Sequence, residues 1–187
     1  MSKAGINKIF EKAAILLFLL WGSASFFLFL SPDLIKISVL VFTLLTVCLV
    51  LAGIGDLFSL LFLLFVNLYA FYGLSSTYNL PLFLVMIGLS VVSGISFYSF
   101  CRKTISDNLA LYTLLFMIFI LELYLALSFW LINPLTRSTI IVIFAYLFSG
   151  YLLSVKKGEL DFKIVRSYLL LAACLLLILI LTVSWGR

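Results

Sequence analysis

The chain has 187 residues, of which 66% are hydrophobic and only 10% are charged. A soluble globular protein usually has about a quarter of its residues charged, so this composition excludes that class and indicates a membrane protein. The formal net charge is +5, from 12 Lys and Arg against 7 Asp and Glu. Histidine is absent, which removes the commonest general base and the commonest metal ligand.

The apolar runs have the length of helices. Each has about 17 to 25 residues, which suits an α-helix that crosses roughly 30 Å of hydrocarbon, whereas barrel strands are shorter and alternate. We predict an all-α transmembrane bundle of seven spans that forms one domain over residues 1–187, because no loop is long enough to fold as a soluble domain. The predicted spans cover residues 13–30, 34–52, 57–73, 82–100, 109–133, 139–155 and 164–185.

The first span has two interpretations. Ser23 and Ser25 stand at a small-x-small spacing, which suits the cleavage site of a signal peptide. The apolar run continues through Leu30, however, and this favours an anchor that is retained. Gly22 to Ser25 then form a patch of small residues where a second helix can approach closely, and Ser90 with Gly94 predicts the same in the fourth span.

Prolines and polar residues mark the predicted turns. Ser31, Pro32 and Asp33 start the second helix, and Asn79 with Pro81 starts the fourth. The fifth helix is predicted to begin after a capping Asp107-Asn108 and to end at Asn133-Pro134.

One motif resembles a catalytic signature. Gly53-Ile54-Gly55-Asp56 resembles the GxGD motif of intramembrane aspartyl proteases and prepilin peptidases. Those enzymes pair that aspartate with a second one on another helix, because one carboxyl holds the proton while the other activates water. No second aspartate stands in such a setting here: Asp33 lies at the opposite membrane face, and the other two aspartates lie in polar loops. We therefore interpret the motif as a glycine turn with Asp56 as a helix cap, and we expect no enzymatic activity, no cofactor and no metal.

Basic residues orient the predicted spans. Nine of them fall on one side of the membrane and three on the other, so the positive-inside rule predicts a cytoplasmic N-terminus. The nine are Lys3, Lys8, Lys12, Arg102, Lys103, Lys156, Lys157, Lys163 and Arg166, and the three are Lys36, Arg137 and Arg187.

Glu122 is the candidate functional residue. It stands near the middle of the fifth predicted span, and Asn67 stands at a similar depth in the third. A carboxylate in hydrocarbon is costly, so we expect Glu122 to face the bundle interior and to meet Asn67. A neutral Glu122 that donates a hydrogen bond to Asn67, a tyrosine or a backbone carbonyl would stabilise the packing. The alternative is a proton or cation site in a small transporter or channel.

The C-terminal half carries a family resemblance. Glu122, the sequence SFW at 128–130, Asn133-Pro134, an aromatic-rich sixth span and a terminal Trp185 resemble an uncharacterised family of small multispanning proteins from reduced-genome bacteria. The resemblance covers roughly residues 120–187 and implies a bacterial inner-membrane location, without an activity. We expect a non-enzymatic component whose partners are the lipid bilayer and another membrane protein or a second copy of itself, and not nucleic acid.

Overall fold

The computed structural model describes residues 3–29, 33–52, 56–104, 108–130, 132–156 and 162–182. Within these ranges the chain forms seven α-helices, so the prediction of an all-α fold is confirmed. The helices are α1 (Lys3–Phe29), α2 (Asp33–Ala52), α3 (Asp56–Tyr78), α4 (Leu82–Thr104), α5 (Leu109–Ser128), α6 (Pro134–Lys156) and α7 (Phe162–Thr182).

Six of the helices in the described ranges are long and apolar enough to cross a membrane, which indicates an integral membrane protein. Their mean hydropathy lies between 1.4 and 2.5, and each apolar segment has 18 to 22 residues. The six segments are Ile9–Phe29, Ile35–Ala52, Leu57–Tyr78, Leu82–Arg102, Leu109–Ser128 and Pro134–Leu152. In α7 the structure describes the side chains of a shorter apolar segment, Arg166–Leu175.

Helix α3 is the centre of the bundle. It packs against α1, α2, α4 and α6, and 61% of its apolar segment is buried, against 39% or less for the other five. Two apolar clusters surround it. The larger one joins α3 to α4, α5 and α6, and the smaller one joins it mainly to α1 and α2.

Polar contacts identify which helix ends lie together. Lys12 Nζ donates a hydrogen bond to the carbonyl of Leu51 at the end of α2, at 3.0 Å. Arg102, near the end of α4, forms an ion pair with Glu11 near the start of α1, at 2.9 Å. We call this the Glu11 end of the bundle. The opposite end contains Arg137 at the start of α6 and is called the Arg137 end.

The helix boundaries at the Arg137 end differ from the prediction. Helix α5 ends at Ser128 and not at residue 133, because the bonds beyond it are those of turns: Trp130 N–H donates to Leu127 O and Ile132 N–H donates to Trp130 O. Asn133-Pro134 therefore begins α6 and does not close α5. Asn133 Oδ1 accepts the N–H of Leu135 at 3.0 Å, as a helix N-cap does.

Two asparagines play different roles from those predicted. Helix α3 continues to Tyr78, and Asn79 follows it in the left-handed conformation (φ 48°), which ends a helix. Asn79 therefore terminates α3, whereas Pro81 does start α4 by accepting the N–H of Leu84. Asn108 precedes α5, also left-handed (φ 54°), and its side chain makes no capping bond.

Part of the predicted turn chemistry lies outside the described residues. This applies to Ser31-Pro32, to residues 53–55 of the GIGD motif and to Asp107. Asp56 is the first residue of α3, but its side chain is not among those described, so its capping role stays a prediction.

Candidate functional site

Asn67 lies at the centre of α3 and is completely buried. Its Nδ2 donates to the carbonyl of Leu63 at 2.8 Å, one turn earlier in the same helix, and to the carbonyl of Phe18 in α1 at 3.2 Å. Its Oδ1 is buried and accepts no hydrogen bond within the described part of the chain. The amide therefore links α3 to α1, and not to α5.

Gly22 makes this link between α1 and α3 possible. A Cβ atom at this position would lie 2.8 Å from Val66 Cγ2, which is closer than real Cβ contacts allow, and 3.1 Å from Asn67 Nδ2, which is a tight contact. Without a side chain, α1 comes close enough for the Asn67 amide to reach a backbone carbonyl. The predicted patch of small residues is thus confirmed as a site of close helix packing. Ser23 adds a hydrogen bond to Thr43 of α2 at 2.8 Å.

Glu122 does not face the interior of the bundle. Its side chain is exposed, on the side of α5 opposite to the buried residues Thr113, Phe116, Ile120, Tyr124 and Leu127. The expectation that this carboxylate is tucked inside the bundle and meets Asn67 is wrong, since the two residues point into different environments. The physical reason is that α5 is apolar all round, so its buried side is decided by packing against α4 and α6.

The exposed side of α5 is a continuous stripe. We call the part of it around Glu122 the α5 outer face, and it consists of Leu111, Leu115, Ile118, Glu122 and Ala126. These residues follow one another at intervals of three or four, as neighbours on one helical surface do. Glu122 is the only charged member of the stripe. The described part of the chain offers its carboxylate no hydrogen bond and no ion pair.

The shorter α5 also changes the depth of Glu122. The midpoint of Leu109–Ser128 falls between Ile118 and Phe119, so Glu122 lies about 5 Å from that midpoint towards the Arg137 end. Half of a bilayer core is about 15 Å thick, and the carboxylate is therefore still within the hydrocarbon region.

A second polar cluster, which no sequence motif predicts, lies at the Arg137 end and is called the Arg137 cluster. The rings of Tyr72 and Tyr124 stack at 4.4 Å between centroids, and the Tyr72 hydroxyl donates to the Tyr124 carbonyl at 3.2 Å. The Arg137 guanidinium lies over the Tyr72 ring, with Cζ 5.4 Å from the centroid. The cluster joins α3, α5 and α6.

Arg137 also interacts with the end of α5. Its Nη2 donates to the carbonyl of Trp130, just beyond the helix, where the C-terminal dipole of α5 attracts a cation. Ser128 Oγ donates to the same Tyr124 carbonyl that Tyr72 reaches, at 2.7 Å. Arg137 Nε is buried and has no hydrogen-bond partner in the described part of the chain. The arrangement suits a structural link between three helices.

The sequence carried only a weak signal for this cluster. Arg137 is a basic residue between two predicted spans, but tyrosines are frequent in membrane helices, and the stacking of Tyr72 on Tyr124 joins residues 52 positions apart. They come together only because α4 and α6 each pack against both α3 and α5.

Comparisons with known proteins yield no matching family model, no matching curated protein and no matching solved structure.

Proposed function

We propose that this protein is a non-enzymatic component of a membrane complex, and that it binds another membrane-spanning polypeptide through the α5 outer face. The observation that carries the proposal is the exposed position of Glu122 within an apolar stripe of a helix that is long enough to cross the membrane. The partner is another membrane protein or a second copy of this chain. Neither a cofactor nor nucleic acid has a part in this function.

The energetic argument starts from the cost of a carboxyl group that faces acyl chains. An acidic residue at the centre of a spanning helix costs about 2.5 to 3.5 kcal/mol on the insertion scale, and residues of this kind normally face protein or a water-filled cavity. Glu122 faces neither of these within the residues that the structure describes. A second polypeptide that covers the α5 outer face removes this cost, because it replaces acyl chains with hydrogen-bonding groups.

The apolar members of the stripe support the same interface. Leu111 is 54% exposed, and Leu115 and Ile118 are each 45% exposed. In membranes such side chains gain little from leaving lipid, so packing and interhelical hydrogen bonds supply the affinity. Ala126, a small residue one turn beyond Glu122, allows the backbone of a partner helix to approach closely.

The proposal includes a topology of seven crossings with a cytoplasmic N-terminus, in a bacterial cytoplasmic membrane. Helix α7 has 21 residues and is about 31 Å long, which is sufficient for a seventh crossing. The bias of nine basic residues against three supports the orientation. A reporter that is active on one side of the membrane only, fused in turn to each terminus, should place the two termini on opposite sides. Termini on the same side would contradict seven crossings.

The alternative function is a small transporter or channel that uses Glu122 as a proton or cation site. The two functions differ in their response to Glu122→Gln, which keeps hydrogen bonding but removes ionisation. In a complex component the variant should assemble as the wild type does. In a proton-coupled transporter it should abolish uptake into reconstituted vesicles while it still folds.

A matched pair of bulky substitutions tests the complex directly. Ile118→Trp enlarges the centre of the α5 outer face, and Leu44→Trp makes the same change at an exposed position near the middle of α2. We expect Ile118→Trp to shift the tagged protein in mild detergent to a smaller assembly in analytical ultracentrifugation, and Leu44→Trp to leave the assembly unchanged. A wild-type protein that sediments as a monomer from native membranes, or equal effects of the two variants, would contradict the proposal.

A further inference from the structure

An elongated groove runs between α1, α4 and α5 from the Glu11 end towards the middle of the bundle. Its volume is about 760 Å³, within the usual range of small-molecule sites. Along α4 it extends from Arg102 to Ser90, which corresponds to about 18 Å of helix. This length is close to one leaflet of the hydrocarbon core, which is about 15 Å.

The walls of the groove offer a ligand mainly apolar contacts. Ser90 and Thr113 carry hydroxyl groups there, but Ser90 donates to the carbonyl of Met86 at 2.7 Å and Thr113 to that of Leu109 at 2.8 Å. These donors are used within their own helices. The other side chains along the groove include Val91, Ile95 and Met117. A hydrocarbon chain matches such a surface.

The end of the groove, by contrast, carries two opposite charges among the side chains that the structure describes. Glu11 and Arg102 form an ion pair with 2.9 Å between Oε2 and Nη1, and their side chains are 18% and 35% exposed. Tyr98, 41% exposed, lies one turn deeper. A guanidinium has five N–H donors and a carboxylate has several acceptor positions, so both groups can bind a ligand while they stay paired.

We propose that this groove binds a phospholipid with a zwitterionic head group that contains a primary amine. One acyl chain lies along α4, the phosphate interacts with Arg102, and the ammonium group donates hydrogen bonds to Glu11. The choice of head group follows from charge complementarity. Glu11 and Arg102 together carry no net charge, and the ammonium and phosphate of a zwitterionic head group place a positive charge at Glu11 and a negative charge at Arg102. An anionic head group without an amine would bring its charge close to Glu11. A quaternary amine has no N–H to donate to the carboxylate.

Binding of three lipids to the purified protein in detergent tests the proposal. The probes are phosphatidylethanolamine, phosphatidylcholine and phosphatidylglycerol with identical acyl chains, and native mass spectrometry measures the bound fraction of each. We expect the ethanolamine lipid to bind about tenfold more tightly than the other two, the ratio for one hydrogen bond to a charged group. Equal binding of all three would overturn the proposal.

Variants separate lipid recognition from a structural role of the ion pair. Glu11→Gln should remove the preference for ethanolamine over choline, and Val91→Trp, at a 44% exposed wall position, should weaken all three lipids alike. The control is Lys36→Gln, which breaks the exposed pair with Asp33 and should leave the preference intact. If Glu11→Gln lowers thermal stability equally in all lipids and keeps the preference, the ion pair only joins α1 to α4 and the proposal is wrong. The wild-type preference and Val91→Trp test the site even where Glu11→Gln does not fold.

Discussion

The side-chain amide of Asn67 in α3 donates a hydrogen bond to the backbone carbonyl of Phe18 in α1, over 3.2 Å. This bond lies inside the membrane-spanning part of both helices, next to a close approach of α1 to α3 at Gly22. The buried Asn67 of the central helix thus links helices within the bundle, whereas Glu122 is exposed on the α5 outer face. The two residues that the sequence suggested as one site have separate roles.

Replacement of Asn67 by Ala should destabilise the bundle. The variant loses the bond from α3 to α1, and interhelical hydrogen bonds in membrane proteins contribute about 0.6 kcal/mol on average and up to about 1.7 kcal/mol. The free energy of unfolding in mixed micelles measures the effect. Ser90→Ala is the control, because its hydroxyl bonds only within α4 and its loss breaks no link between helices. An equal effect of the two substitutions would contradict the role given to Asn67.

Gly22→Ala should also destabilise the protein, by about 1 to 3 kcal/mol, the usual cost of overpacking. The added methyl group would lie 2.8 Å from Val66 Cγ2, so the second substitution Val66→Ala should restore part of the stability. A double-mutant cycle measures this coupling. Ala24→Val, at an exposed position of the same helix, should be tolerated. Strictly additive effects of Gly22→Ala and Val66→Ala would show that the contact is not tight.

The Arg137 cluster predicts a coupling between Arg137 and the ring of Tyr72. A cation over an aromatic ring contributes about 0.5 to 2 kcal/mol, depending on its desolvation. A cycle of Arg137→Gln and Tyr72→Leu should show coupling in this range. In the Tyr72→Phe background Arg137→Gln should cost as much as in the wild type, because the ring is retained. Tyr78→Leu, at a 67% exposed position of the same helix, should show none. If Arg137→Gln costs less in the Tyr72→Phe background than in the wild type, the hydroxyl, and not the ring, interacts with the cation.

Hydropathy predicted the existence and order of the helices well, because a long apolar segment in a bilayer can satisfy its backbone hydrogen bonds by forming an α-helix. Close packing at Gly22 was predictable for a similar reason, since small residues mark helix contacts. Helix ends were less predictable. Phe129 and Trp130 continue the hydropathy of α5 although the helix ends at Ser128, and a left-handed Asn79 ends α3 later than its polar residues suggested.

The direction in which Glu122 points was not predictable from the sequence. Every side of α5 is apolar, so no periodic pattern distinguishes the buried side from the exposed one. The cost of a carboxylate in lipid predicted that Glu122 faces inwards. That prediction assumed that no other protein covers the outside of the bundle. The position of Glu122 on the α5 outer face is consistent with the same physical rule if a second polypeptide covers that face.

Site-specific photo-crosslinking in intact membranes tests the central claim most directly. A photoreactive amino acid is placed at Ile118, on the α5 outer face, or at Leu44, which lies at a similar distance from the middle of α2 and is also exposed. The proposed interface predicts a discrete protein adduct from position 118 and none from position 44, and the mass of the adduct distinguishes a second copy from a different protein. Adducts that form equally at both positions, or at neither, would show that lipid alone covers the face that contains Glu122.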